Sequence, residues 1–154
     1  VLAALCLSWA GDALLLSDRE RVFLGGLVAF LLAHIAYCVA FWLLGVNLSW
    51  VAGAAIGLAV IAGAVLRWLL PHLKGTMRVA VLAYVLVIGT MVTLALGTLG
   101  VSDTWILALG ATLFFLSDLA VARHRFVTRG FVNKAWGLPL YYAGQLLLAV
   151  TVGM

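Results

Sequence analysis

Long apolar stretches alternate with short polar breaks along the whole chain. The apolar stretches cover residues 1–17, 22–44, 50–70, 78–99, 105–122 and 136–153. A helix needs about 20 apolar residues to cross about 30 Å of hydrocarbon, and these stretches are close to that length. The pattern therefore predicts an all-α fold, a single transmembrane helical domain over residues 1–154 that spans a bilayer six times.

The composition supports the same class of protein. Of the 154 residues, 67% are hydrophobic and 9% are charged, whereas soluble domains have about 45–50% apolar and about 25% charged residues. These proportions exclude a soluble enzyme, a disordered chain and a secreted disulfide scaffold. The formal net charge of +4 does not indicate nucleic-acid binding here, so we expect the lipid bilayer, and no nucleic acid, as a partner. The sequence leaves the oligomeric state open.

The basic residues indicate the orientation of the chain. The five breaks, taken in chain order, have two, zero, three, zero and four Lys or Arg residues in or next to them, and the C-terminus has none. All nine therefore fall on one side of the predicted membrane. The positive-inside rule makes that side cytoplasmic. We accordingly expect an integral protein of a bacterial inner membrane, with both chain ends on the outer side.

Three ionisable residues lie inside the predicted spans, namely Asp12, His34 and Asp118. Such residues are costly in a membrane and indicate a functional site by default. At about 1.5 Å per residue, both carboxyls are expected roughly 8–10 Å inside the cytoplasmic boundary, with His34 nearer the midplane. The last span carries further polar residues at a similar depth, which are Tyr141, Tyr142 and Gln145.

Helical spacing places these polar residues on shared faces. His34 and Tyr37 are three residues apart, and Tyr141 and Gln145 are four apart. We expect them to face one aromatic-walled cavity that opens to the cytoplasm, which suits a ligand with an apolar tail and a polar head. Each residue also has a structural interpretation: an Asp near a helix end accepts bonds from neighbours, and His34 alone is typical of a hydrogen-bonded core residue.

Several other kinds of site find no support. The sequence has no nucleotide-binding loop, zinc-protease motif or nucleophile elbow, so we expect no cofactor. A metal held by Asp12, His34 and Asp118 has no local spacing motif behind it, and we expect none. Ser117 adjoins Asp118, but no His is placed as its base. A different class stays open, namely a small proton-coupled transporter that uses the same Asp and His residues as relays.

The polar segments also resemble a known family. These are Gly11-Asp12-Ala-Leu-Leu-Leu-Ser17, Ala33-His34-Ile-Ala-Tyr37, Phe115-Leu-Ser117-Asp118 and Tyr141-Tyr142-Ala-Gly-Gln145. In this order they are similar to the lysoplasmalogenase (YhhN-like) integral-membrane family over essentially the whole chain. Members usually have about eight spans, so the resemblance implies that two N-terminal helices are missing here. It also implies hydrolysis of the vinyl-ether bond of lysoplasmalogens to a fatty aldehyde and glycerophosphoethanolamine or glycerophosphocholine.

This reaction suits a pair of carboxyl groups. A vinyl ether takes up a proton at its β-carbon and forms an oxocarbenium ion, which water then traps. One carboxylic acid and one carboxylate would serve, as in glycoside hydrolysis, and we expect Asp12 and Asp118 to be that catalytic pair, with neither assigned as the acid. The lysophospholipid substrate is expected to be bound, and water oriented, by His34, Tyr37, Tyr141, Tyr142, Gln145 and Arg123.

Overall fold

The computed structural model describes residues 1–17, 19–101 and 105–152. These residues form six α-helices: α1 (Leu2–Leu15), α2 (Glu20–Leu44), α3 (Leu48–Leu69), α4 (Gly75–Gly97), α5 (Ile106–Ala122) and α6 (Phe131–Val150). A π-helical segment, Arg123–Val127, continues α5. No strand occurs in these described ranges, and the prediction of an all-α fold is confirmed.

Four helical segments are long and apolar enough to cross a membrane, judged by length and composition. They are Glu20–Leu44, Leu48–His72, Gly75–Thr98 and Ile106–Val127. The helix α1 is apolar but has 14 residues, and α6 carries Asn133, Lys134 and Gln145. The chain is thus an integral membrane protein with four segments of spanning length in its described part, and six spans stay a prediction.

The helix ends follow local chemistry. Asn47 caps α3, because its side-chain oxygen accepts hydrogen bonds from the backbone N–H groups of Ser49 (3.0 Å) and Trp50 (3.3 Å). The preceding helix ends at Gly45, whose φ of 93° lies in the left-handed region that favours glycine. These two residues together make the tight connection between α2 and α3.

The start of α6 differs from the prediction by five residues. The apolar pattern places the span at 136–153, whereas the helix begins at Phe131. The polar residue Asn133 lies inside the first turns, 2% exposed. It accepts a hydrogen bond from Arg123 Nη1 (2.5 Å) and donates one to the Thr128 carbonyl (2.7 Å). Because both ends of its side-chain amide are hydrogen-bonded, Asn133 can be buried in a helix at a position where hydropathy predicts a loop.

Five helices surround a common interior. The helix α1 packs along α2, α4 packs against both α2 and α5, α6 packs on α5, and α6 also touches α1. The helix α3 lies outside this group and packs mainly against α4. Large apolar side chains such as Trp9, Leu43 and Ile56 are exposed on the outer faces, as expected where lipid is the solvent.

One end of the bundle is defined by its charge. There α1, α3 and α5 end and α2, α4 and α6 begin, and we call it the basic end. Phe23 at the start of α2 packs edge-on against Phe126 after α5, with 6.0 Å between ring centroids. The Lys and Arg residues next to these helix ends are Arg19, Arg21, Arg67, Lys74, Arg78, Arg123, Arg125, Arg129 and Lys134.

Candidate active site

One polar group forms around Asp12 of α1. The hydroxyl of Tyr141 on α6 donates a hydrogen bond to Asp12 Oδ2 at 2.6 Å. Gln145 Nε2, one turn further along α6, donates to the oxygen of Tyr141 at 3.0 Å. Tyr37 of α2 then donates to Gln145 Oε1 at 3.1 Å. Three helices thus contribute to one hydrogen-bonded chain that ends on the Asp12 carboxyl.

A second polar group forms around Asp118 of α5. The Tyr84 hydroxyl on α4 donates to Asp118 Oδ2 at 2.7 Å, and His34 Nε2 of α2 lies 3.7 Å from the same oxygen. His34 Nδ1 is 2.5 Å from the Phe30 carbonyl oxygen. Because a carbonyl can only accept, Nδ1 carries a proton. Nε2, the other ring nitrogen, faces the Asp118 carboxyl and is buried without a hydrogen-bond partner in the structure as described.

Aromatic rings join the two groups into one site. The Phe114 ring packs against His34 (4.8 Å between centroids) and against Tyr141 (5.4 Å). Phe30 packs against the rings of Phe114 and Tyr141. Tyr141, which bonds to Asp12, and His34, which faces Asp118, therefore pack on the same Phe114 ring.

Most of the residues that the sequence singles out come together here. Asp12, Tyr141, Gln145 and Tyr37 share one group, and His34 and Asp118 share the other.

Two predicted site residues take other positions. The Tyr142 side chain is 60% exposed, and its ring touches the Tyr141 ring edge-on at 5.4 Å. Arg123 donates to Asn133 at 2.5 Å, which joins the end of α5 to the start of α6. Neither residue bonds to a carboxyl of the candidate site.

Sequence reasoning missed Tyr84. It lies six residues after Arg78 on α4, and Asp118 lies five residues before Arg123 on α5. Since helices rise about 1.5 Å per residue, both side chains are at similar depths from the basic end. A tyrosine at matched depth in a neighbouring span was the signal that would have found it.

An apolar cleft reaches this site from the basic end. It has a volume of about 60 Å³, and Asp118 and Tyr84 supply its polar groups. The cleft runs between α2, α4 and α5, with the ends of α1 and α3 at its side. A space of this size has room for a small group of atoms only.

The described part of the chain forms neither a metal site nor an activated serine nucleophile. Among the described residues, no group of three His, Cys, Asp or Glu side chains is placed to hold a metal ion. Ser117 donates its hydroxyl to the Phe114 carbonyl at 2.7 Å within its own helix, so it is not aligned with a base as a nucleophile would be.

Comparisons with known proteins find relatives that match nearly the whole chain. The lysoplasmalogenase TMEM86A of Bos taurus is 29% identical over 157 residues, which are 98% of this chain and 64% of that protein. The lysoplasmalogenase TMEM86B of Rattus norvegicus is 33% identical over 148 residues, which are 96% of this chain and 59% of that protein. The chain thus spans less than two thirds of the length of these relatives. No solved structure gives a significant match. The YhhN family matches residues 1–152, and the chain belongs to that family.

Proposed function

We propose that this chain is a membrane hydrolase that cleaves the vinyl-ether bond of lysoplasmalogens. Its products are a fatty aldehyde and glycerophosphoethanolamine or glycerophosphocholine. The observation that carries this proposal is the pair Asp12 and Asp118, each bonded to a tyrosine hydroxyl and both placed around one aromatic wall. Relatives that bear the name lysoplasmalogenase support the same substrate class.

The chemistry proceeds in two stages. A carboxylic acid of the pair transfers its proton to the vinyl β-carbon, and the electrons of the double bond form the new C–H bond. The resulting positive charge is shared by the α-carbon and the ether oxygen, and the other carboxylate stabilises it. Water then attacks the α-carbon and returns a proton to the depleted carboxylate. The hemiacetal so formed gives up its hydroxyl proton and breaks the bond between the former vinyl α-carbon and the glycerol oxygen. The glycerol oxygen takes up a proton, so the products are the aldehyde and the glycerol hydroxyl.

The surrounding side chains support this pair in distinct ways. Tyr84 and Tyr141 each donate to one carboxyl and so fix its direction. Tyr37 is fully buried and holds Gln145, so we assign this pair to orienting the water. His34 faces Asp118 and limits where its carboxyl can turn. The exposed ring of Tyr142 offers a surface against which the alkenyl chain packs.

We place the protein across a bacterial inner membrane with six spans and the basic end in the cytoplasm. The collection of all nine Lys and Arg residues at that end supports this orientation. The candidate site then opens to the cytoplasmic leaflet, from which the lysophospholipid enters. Arg123 keeps further guanidinium N–H groups beyond the one bonded to Asn133, and we retain it as a head-group contact.

The shape of the helices favours a hydrolase over a proton-coupled transporter. Transporter sites are typically built from discontinuous helices at the membrane midplane. Here α2, α3 and α4 run without interruption, and α6 continues past Pro139.

Substitution of the two carboxyls tests the proposal. We expect Asp12→Asn and Asp118→Asn each to lower the rate of aldehyde release by about 10²–10⁴-fold, which is the usual contribution of a general acid or base. The double variant should be little worse than the more severe single variant, because residues that act as a unit are not additive. Glu20→Gln, which changes an exposed acid at the start of α2, is the matched control and should keep full activity.

Two results would contradict the assignment. A loss of only two- or threefold in either single variant speaks against a direct role in proton transfer. Losses that multiply in the double variant indicate two separate structural roles. The variants need to extract and melt like the original protein, because only then does lost activity report on chemistry.

A further inference from the structure

A cation stands at the basic end of the cleft that leads to Asp118. The Arg125 guanidinium lies over the Phe23 ring, 4.3 Å from its centroid. Phe23 in turn packs edge-on against Phe126, and both phenylalanines line the cleft. Stacking uses the flat face of a guanidinium and leaves its N–H edge available for an anion. The Arg125 side chain makes no hydrogen bond or ion pair within the part of the chain that the structure describes.

The cleft follows one side of α5 from the carboxyl towards this cation. Asp118, Ala122 and Phe126 are spaced four residues apart, and all three line the cleft. Arg125 follows Asp118 by seven residues, which is roughly 10 Å or less along the axis, because the last of these residues belong to the π-helical segment Arg123–Val127.

We infer that Arg125, held by Phe23, binds the phosphate of the lysophospholipid while the vinyl ether lies at Asp118. This inference rests on the proposed function and assigns the substrate's direction in the cleft. Seven bonds separate the vinyl β-carbon from the phosphorus atom, roughly 8–9 Å in an extended chain. That length is close to the separation of residues 118 and 125 along the helix axis. Arginine suits the task because its planar fork donates two parallel hydrogen bonds to a phosphate.

Arg123 is a weaker candidate than Arg125 for the main contact with the phosphate. Neither arginine lines the cleft itself. Arg123 is bonded to Asn133 on the α6 side of the bundle, whereas Arg125 lies over the ring of Phe23, which does line the cleft. Basic residues are also required at this end by topology alone, so charge by itself does not assign a phosphate contact. The stacking on a cleft-lining ring is what distinguishes Arg125 from its neighbours.

Kinetics with two substrates test the inference. We expect Arg125→Gln to raise KM about tenfold for alkenyl-glycerophosphoethanolamine, equivalent to about 1.4 kcal/mol, with kcat changed less than threefold. An alkenyl glycerol without phosphate should show the same KM as with the original protein, within twofold. Arg125→Lys keeps the positive charge but lacks the planar guanidinium, so its KM should lie between those of the original protein and Arg125→Gln. Arg129→Gln removes an equal charge from an exposed position nearby and is the matched control.

A binding measurement separates this inference from the proposed function. A saturated alkyl-ether lysophospholipid has no vinyl bond to cleave, so its Kd does not depend on hydrolysis. We expect Arg125→Gln to weaken its binding about tenfold and to leave the binding of the corresponding alkyl glycerol unchanged. Equal effects on both ligands, or an equal effect of Arg129→Gln, would overturn the role of Arg125. Absence of hydrolysis by the original protein, together with this binding pattern, would instead overturn the proposed reaction and leave the phosphate site standing.

Discussion

The close backbone contact between α5 and α6 at Gly144 gives a sharp test of the site's geometry. A Cβ atom on Gly144 of α6 would lie 2.9 Å from the Gly110 carbonyl oxygen and 3.0 Å from the Phe114 backbone nitrogen of α5. Ordinary contact begins at 3.4 Å, so Gly144→Ala forces the two backbones apart by about half an ångström. Backbone atoms have no rotamer by which to avoid the methyl group. We expect a cost of about 1–3 kcal/mol, which is typical of overpacking.

The displacement of α6 caused by Gly144→Ala should also change the geometry of the active site. Tyr141 lies three residues before Gly144 on α6, and its hydroxyl bonds to Asp12 at 2.6 Å. Moving α6 outward lengthens this bond, and a weakening of about 1 kcal/mol corresponds to about a fivefold lower kcat. The measurements are the melting temperature in detergent and the rate of aldehyde release on the same sample.

Gly53→Ala on α3 is the control, because nothing lies within 4 Å of the added methyl group. It should leave activity unchanged and make the helix more stable by about 0.5–1 kcal/mol. If Gly144→Ala melts and turns over like the original protein, the close crossing of α5 and α6 is wrong.

Three further substitutions test separate features. Tyr84→Phe removes the hydroxyl that bonds to Asp118 and should lower kcat about tenfold with little change in KM; unchanged kcat would show that the bond plays no part in turnover. Arg123→Gln should raise KM several-fold with a smaller fall in kcat, which is the pattern expected when the substrate and the transition state lose binding equally. An equal rise in KM for a phosphate-free substrate would show that Arg123 has a structural role only. Thr128→Cys, in a chain whose two native cysteines are replaced by Ala, should resist an impermeant thiol reagent in intact cells, since ready labelling would invert the proposed orientation.

The level of several polar residues along the helix bundle was predictable from the sequence. Each residue adds a fixed rise along a helix, so counting from the basic breaks placed Asp12, Asp118 and Tyr141 at similar levels. The structure joins Asp12 to Tyr141 although they lie 129 residues apart in sequence. The i,i+4 spacing of Tyr141 and Gln145 likewise corresponds to an observed hydrogen bond.

Rotation of each helix about its own axis was not predictable. Tyr142 follows Tyr141 directly, but one residue turns a helix by about 100°, and its side chain points outward. Tyr84 has the right depth, yet whether it faces α5 depends on how α4 packs. That choice is made by contacts among several helices, which no single apolar pattern contains. Hydropathy also misplaced the start of α6, since a buried amide with two partners looks like a loop residue in sequence.

The peripheral position of α3 has a consequence for how the sequence can change over time. Leu69 is the only side chain of α3 that is buried, and the rest of its surface meets lipid or the flank of α4. Exchange of one apolar residue for another on such a surface changes stability by little more than about 0.5 kcal/mol. Natural variation in α3 is thus constrained mainly by the need for apolar side chains, while variation in α5 and α6 is also constrained by the size of the side chains that fit between the two helices. Related chains can be expected to diverge fastest along this helix and slowest at the α5–α6 crossing.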